Sequence, residues 1–318
     1  MKLILFGGKG GVGKTTCASA AAVQLADAGC RTLLVSADPA HSLSDSLEHE
    51  IGPEVQKMEG VENLSALEIS AERLFLKFKE EHGEEIKRIL ETGTYLDEGD
   101  LDDLFSLSIP GLDEVMALME LVELMDRGEY DFHILDTAPT GHALRLLALP
   151  ELLDEWIRVL ARMRYKYRYV VSRLARREIH EPADDFLFTM KRTVRKIQGL
   201  LRDPGRCEFV VVTIPETMAI AETQRLVEEL GRMKIPVRCL VVNRMVSSER
   251  GACPFCHERW QEQRGLLQKC ERAFPQLTIF KLLEHPHQVK GLQRLRGVPL
   301  PVQWFSADPV VVTERGLE

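Results

Sequence analysis

Gly8-Lys9-Gly10-Gly11-Val12-Gly13-Lys14-Thr15 decides the fold. A short apolar run, Leu3–Phe6, precedes it, and an alanine-rich stretch of helical character, Lys14–Ala28, follows. A strand entering a glycine-rich turn that opens a helix is the setting of a P-loop. The glycines let successive backbone N–H groups turn inward around phosphate oxygens. The helix N-terminus adds partial positive charge. At this spacing Lys14 reaches the β- and γ-phosphates, and the Thr15 hydroxyl sits on Mg²⁺. Gly8, Lys9, Gly10, Gly11, Val12, Gly13, Lys14, Thr15 and Thr16 are therefore the expected ATP site, with Mg²⁺ as its companion ion.

Further apolar runs read as strands at Arg31–Ser36, Phe132–Leu135, Phe209–Thr213, Val237–Val242 and Leu277–Leu283, with Pro301–Phe305 as another candidate. Short apolar strands alternating with helical segments point to a parallel sheet covered on both faces. The expected class is thus α/β: a P-loop NTPase domain over residues 1–318 with a doubly wound, mostly parallel sheet. Two stretches break that rhythm with helical periodicity alone, about 71–125 and 150–201. They read as one inserted α-helical subdomain. The acidic segment Asp97–Asp103 reads as a loop, and Ala307–Glu318 as a loosely held tail.

The chain has 318 residues, of which 45% are hydrophobic and 28% charged, with a net charge of -8. An acidic balance disfavours nucleic acid as a partner. No apolar run approaches the ~18 residues of a membrane span. A cytoplasmic protein that is not integral to the membrane is expected, with peripheral attachment as an option. Seven cysteines do not make a dense disulfide framework.

Two acidic loops follow strands. Asp38-Pro39-Ala40-His41-Ser42 closes the second, and Asp136-Thr137-Ala138-Pro139-Thr140-Gly141-His142 closes the third. Ligands bind at the carboxyl ends of parallel strands, so both loops should face the nucleotide. A carboxylate at Asp38 can orient or deprotonate an attacking water. Asp136 is placed to hold Mg²⁺ as a Walker-B aspartate does, and Gly141 to act as a hinge.

Lys9, directly after the first glycine, is the mark of the deviant P-loop of MinD and the nitrogenase iron protein. Together with Asp38–Ser42 and Asp136–Leu147, it makes the sequence resemble the ArsA family over most of the chain. That family holds the arsenite-pump ATPases and the eukaryotic ATPase that targets tail-anchored membrane proteins. The resemblance implies a homodimer in which Lys9 reaches the partner subunit's phosphates. It implies Asp38, Lys9 and Lys14 as catalytic groups. It also makes His41 and Ser42 part of switch I, and Asp136, Thr137, Gly141 and His142 part of switch II. Pro215-Glu216 through Leu226 resembles the segment whose first glutamate contacts nucleotide, here Glu216. Val241-Val242-Asn243 resembles the strand end whose asparagine reads adenine, with Leu283–His287 as the covering loop.

Cys253-Pro254-Phe255-Cys256 is the single close cysteine pair. It supplies two thiolates where zinc takes four ligands. The targeting factors carry a CxxC at this point and share Zn²⁺ across a two-fold axis. A redox dithiol and plain structural thiols are the competing readings. In the inserted region, Val115–Met125 is an apolar helix rich in methionine, and Arg158–Arg177 carries eight Arg and Lys residues and no acid. Three functions compete: targeting of hydrophobic membrane-protein segments, energising a metalloid efflux pump, and a MinD-like switch for another partner. The arsenite pumps bind metalloid through three thiols, and no cysteine lies between Cys30 and Cys207 to supply them.

Overall fold

A computed structural model describes residues 1–38, 42–93, 112–137, 147, 154, 158, 162, 182–247 and 253–301. The Asp97–Asp103 loop, nearly all of Arg158–Arg177, residues 302–305 and the C-terminal tail lie outside them. Contacts divide the chain into two compact units. One comprises Met1–Ile69, Met125–Leu144 and Leu201–Glu318, and the other Ser70–Leu124 and Arg145–Leu200.

The first unit carries an eight-stranded sheet. Its strands are β1 (Lys2–Gly7), β2 (Thr32–Ser36), β3 (Gln56–Lys57), β4 (Leu64–Glu68), β5 (Phe132–Asp136), β6 (Cys207–Thr213), β7 (Val237–Met245) and β8 (Thr278–Leu283). They lie in the order β3-β4-β2-β5-β1-β6-β7-β8. Neighbours pair in parallel except β3 against β4. The helices between them are α1 (Lys14–Asp27), α2 (Ser42–Leu47), α6 (Thr217–Met233), α7 (Pro254–Ala273) and α8 (Gly291–Arg296).

The central strands are buried along their length, as covering on both faces requires. Alanines 18, 20, 21, 22 and 26 bring α1 close onto the sheet because they are small, and all are buried. β1 between β5 and β6 puts the P-loop at the middle of the carboxyl edge.

β3 and β4 answer to no strand in the sequence reading, which has none between Ser36 and Phe132. Leu64-Ser65-Ala66-Leu67-Glu68 lacks β-branched and aromatic residues and favours helix on propensity. Its strand form is imposed by register, Thr32 against Leu64 through Ser36 against Glu68. β7 also runs beyond the expected Val242. A bulge falls between Val242 and Met245, with Arg244 at φ 58°.

The second unit contains, among its described residues, helices alone: α3 (Ala71–Gly93), the larger part of α4 (Leu112–Asp126) and most of α5 (Pro182–Arg202). Leu187, Met190 and Val194 form its core with Phe78, Met119 and Phe186 around them. His82 meets Phe78 edge-on and Phe186 at a tilt, with ring centroids 5.2 and 5.0 Å away. Phe188 and Leu76 stand exposed. No described helix is long and apolar enough to cross a membrane.

A buried ion cluster ties three strands on the sheet. Glu208 on β6 is fully buried and pairs with Lys2 at 3.0 Å on β1 and with Arg238 on β7. Both cations are partly exposed and can hydrate once the carboxylate is gone. Glu208→Ala is therefore expected to cost about 2 kcal/mol, below the full penalty of an orphaned buried charge. A urea midpoint equal to that of the parent protein would show that the cluster adds nothing.

Candidate functional site

The phosphate loop depends on glycine at two points. Gly8 has φ 155°, and a Cβ there would lie 2.1 Å from the Val212 carbonyl oxygen on β6. Gly13 has φ 97°, and a Cβ there would lie 2.4 Å from Asn243 Nδ2. Gly13 caps α1 without a side-chain bond, and the first turn of α1 has no acidic residue. The positive end of the helix is thus left for an external anion. Lys14 is buried, and its Nζ lies 3.5 Å from the Lys9 carbonyl oxygen, a long contact. Burial lowers its pKa, while the charges of Asp136 and then Asp38 oppose that shift. A desolvated ammonium at a helix N-terminus suits a polyphosphate.

Asp136 ends β5 and is wholly buried. Thr15 Oγ1 donates to its Oδ2 at 2.6 Å, and Oδ1 has no hydrogen-bond partner among the described residues. Burial pushes its pKa up to about 7 against the pull of the Thr15 hydroxyl and Lys14, and the nearby Asp38 adds to the rise. A buried hydroxyl–carboxylate pair with one spare oxygen fits a hard divalent cation such as Mg²⁺.

Asp38 follows β2, half-buried, and its backbone N–H donates to Ser36 Oγ at 3.2 Å. Its charge bears on both Lys14 and Asp136. The ends of β2 and β5 are joined where the Ala37 N–H donates to the Asp136 carbonyl at 3.0 Å. Thr137 anchors the other side, giving the Phe6 carbonyl both its N–H and its hydroxyl, at 3.1 and 2.8 Å. Lys14, Thr15, Asp38 and Asp136 are therefore gathered on three adjacent strand ends. Ser42 opens α2, while His41, Gly141 and His142 lie outside the described residues.

Sequence reasoning missed Glu68, which the structure places behind that loop. Its Oε1 accepts from the Leu43 and Ser44 N–H groups, at 3.1 and 3.0 Å, and so caps α2 just after Asp38–Ser42. Once Leu64–Glu68 is known as a strand beside β2, an acid at its carboxyl end becomes the signal.

On the other side of the P-loop, Glu216 caps α6 with its backbone, and its side chain is exposed. It lines a cleft of about 270 Å³ with Thr217, Arg244, Arg259 and Glu284, among others. Glu284 belongs to the covering loop read at Leu283–His287. Asn243 Nδ2 donates to the Val12 carbonyl at 2.9 Å, and Oδ1 accepts from the Arg244 N–H at 2.9 Å. The amide still has a second N–H and a second lone pair, the pair a base edge would use. Lys9 Nζ lies 3.9 Å from Glu222 on α6 of the same chain.

Cys253 caps α7 and is exposed, with Cys256 in the first turn. Hydrogen bonds from the Cys256 backbone and side chain hold the Cys253 thiol below its ordinary pKa. His257 turns away: its Nε2 lies 2.8 Å from Gln261 Nε2, one turn along α7. Among the described residues no group of three or more His, Cys, Asp or Glu could hold a metal. One chain thus offers two thiols, which suit zinc in kind but fall short in number. Burial pushes Cys17 up to about 12 and Cys270 up to about 11, and it raises Cys207 and Cys239 as well. These four are packing residues.

The sequence matches the anion-transporting ATPase family over residues 1–299. It is 36% identical to "ATPase GET3C" of Arabidopsis thaliana, covering 93% of this chain and 80% of that protein. It is 33% identical to "ATPase ASNA1 homolog 1" of Paramecium tetraurelia, covering 93% and 90%. With "ATPase get3" of Schizosaccharomyces pombe the identity is 30%, over 93% and 89%. A P-loop with Lys9 at its second position, two strand-end aspartates beside it and family similarity over nearly the whole length lead to one conclusion: the chain belongs to the ArsA family of ATPases.

Proposed function

We propose that this ATPase works as a homodimeric, nucleotide-switched targeting factor whose cargo is a hydrophobic segment of a membrane protein. The observation that carries the switching half is the gathering of Lys14, Thr15, Asp38 and Asp136 on adjacent strand ends. Backbone N–H groups of Gly8–Gly13 and the start of α1 cradle the phosphates. Lys14 takes the β- and γ-phosphate oxygens. Lys9 leaves Glu222 and serves the partner's nucleotide, neutralising charge as an arginine finger does. Asp38 orients the attacking water and accepts its proton. Thr15 and Asp136 hold Mg²⁺, which when bound neutralises developing phosphate charge. Asn243 and Glu216 face the nucleoside. His41, Ser42, Thr137, Gly141 and His142 carry the change of state to the helices.

Support for cargo binding is the exposed Phe188 and Leu76 on the helical unit. A membrane receptor is the partner that release of such cargo requires. Pumping of arsenite finds no cysteine on the helical unit.

Cys253 and Cys256 are assigned to one Zn²⁺ shared with the same pair of the partner subunit, giving four thiolates across a two-fold axis. Size and metal content, measured with and without ADP, Mg²⁺ and a fluoride transition-state mimic, test the assembly. A dimer with one zinc per two chains is expected. Cys253→Ser with Cys256→Ser should lose the metal and shift the dimer toward monomer at least about tenfold. A metal-free wild-type dimer rules the shared site out. A dimer that never holds an apolar peptide in any nucleotide state rules out the cargo.

A further inference from the structure

Arg244 is a non-glycine residue with φ 58°, in the bulge that follows Asn243. The left-handed region disfavours such residues, and the conformation persists where its surroundings fix it. The Glu284 N–H holds the Met245 carbonyl at 2.8 Å, and one side chain bonds the turn on either side of it. Gln263, on α7 and buried, accepts the Val246 N–H on Oε1 at 2.7 Å and donates from Nε2 to the Arg244 carbonyl at 3.2 Å. It thereby holds both ends of the Arg244–Val246 turn. The Arg244 N–H in turn bonds Asn243 Oδ1, and Asn243 Nδ2 bonds the Val12 carbonyl inside the P-loop.

We propose that Gln263 is a positioning residue for nucleotide binding: it sets the Arg244 turn that aims the Asn243 amide at the base and braces the P-loop at Val12. This rests on Asn243 as the base-reading residue. The clamp also gives α7, whose N-cap is Cys253 and whose first turn holds Cys256, a direct purchase on the nucleotide site. A second tie runs from Arg259 on the same helix to Glu284 at 3.5 Å, on the rim of the cleft beside Arg244. Gln263 acts through Asn243, so its loss should weaken binding and leave the hydrolytic groups in place.

The test compares Gln263→Met, Gln263→Glu and Asn243→Ala in the full-length protein, reading KM for ATP, kcat and the Kd of a fluorescent ADP analogue. Methionine keeps the volume and removes both hydrogen bonds. Glutamate keeps the acceptor for Val246 and loses the donor to Arg244, and it decides the matter if the methionine variant does not fold. KM and Kd should rise about tenfold for Gln263→Met and about threefold for Gln263→Glu, with kcat within about twofold. A residue that merely supports the fold would lower the melting temperature and leave KM and Kd unchanged. Folded Gln263 variants with parental KM and Kd, beside a weakened Asn243→Ala, overturn the proposal. An Asn243→Ala protein that binds like the parent removes the base-reading role, and the proposal with it.

Discussion

Asp38→Asn is expected to lower kcat by about 10²–10³-fold while leaving ATP bound at least as tightly as before. The change is nearly isosteric, so the half-buried pocket at the end of β2 keeps its shape. What is lost is the ability to take a proton from water, the function assigned to this carboxylate. Electrostatics fixes the direction of the binding effect. Asp38 contributes negative charge at Lys14 and at Asp136, the groups proposed to meet the phosphates and their cation. Removing one negative charge beside a polyphosphate favours binding, so Kd should stay level or fall. Nucleotide titration with single-turnover phosphate release separates the two effects. Turnover equal to that of the parent would move the proton-accepting role away from Asp38. A loss of ATP affinity to match the loss of turnover would make Asp38 a binding group instead.

Motifs with a fixed backbone task were the most legible in the sequence. Gly8 and Gly13 stand where no Cβ fits, so their identity is dictated locally and the P-loop is readable without a partner element. Asp38 and Asp136 were legible because each ends an apolar run, and parallel sheets put such ends together. β4 was not legible, because Leu64–Glu68 becomes a strand through pairing with β2 and not through propensity. Glu68 was hidden with it. Gln263 was hidden for another reason. It sits mid-helix among charged residues, and its role depends on a bulge in β7 that no residue type announces. Asn243, expected from resemblance to read adenine, lies against the P-loop at Val12, and half of its hydrogen-bonding capacity is already committed to the chain itself.

Asp136→Asn is expected to make the nucleotide-free protein more stable above neutral pH, even as it weakens Mg²⁺-dependent nucleotide binding. The folded pKa of Asp136 is raised to about 7, from 3.8 as its ordinary value, chiefly by burial. Between those values the folded chain holds a proton that the unfolded chain has released. Stability from this group is therefore complete below the lower value and drains away as pH rises through the upper one. The span amounts to about 4 kcal/mol at most, at 1.36 kcal/mol per unit. An asparagine at this position never ionises and never incurs the loss. Its amide can still pair with Thr15 Oγ1, so the hydrogen bond at 2.6 Å has a successor. Urea midpoints of the two nucleotide-free proteins should lie closest near about pH 4, move apart steadily from there to about pH 7 and be furthest apart by about pH 8, with the variant ahead. Midpoints that move in parallel between those pH values would show that Asp136 is ionised in the folded protein well below neutrality. Adding MgADP discriminates again, because a ligand that selects the carboxylate restores the wild-type protein at high pH and does little for the variant. If these outcomes hold, the buried carboxylate destabilises the empty site and binding relieves it, which would couple nucleotide occupancy and stability at this one side chain.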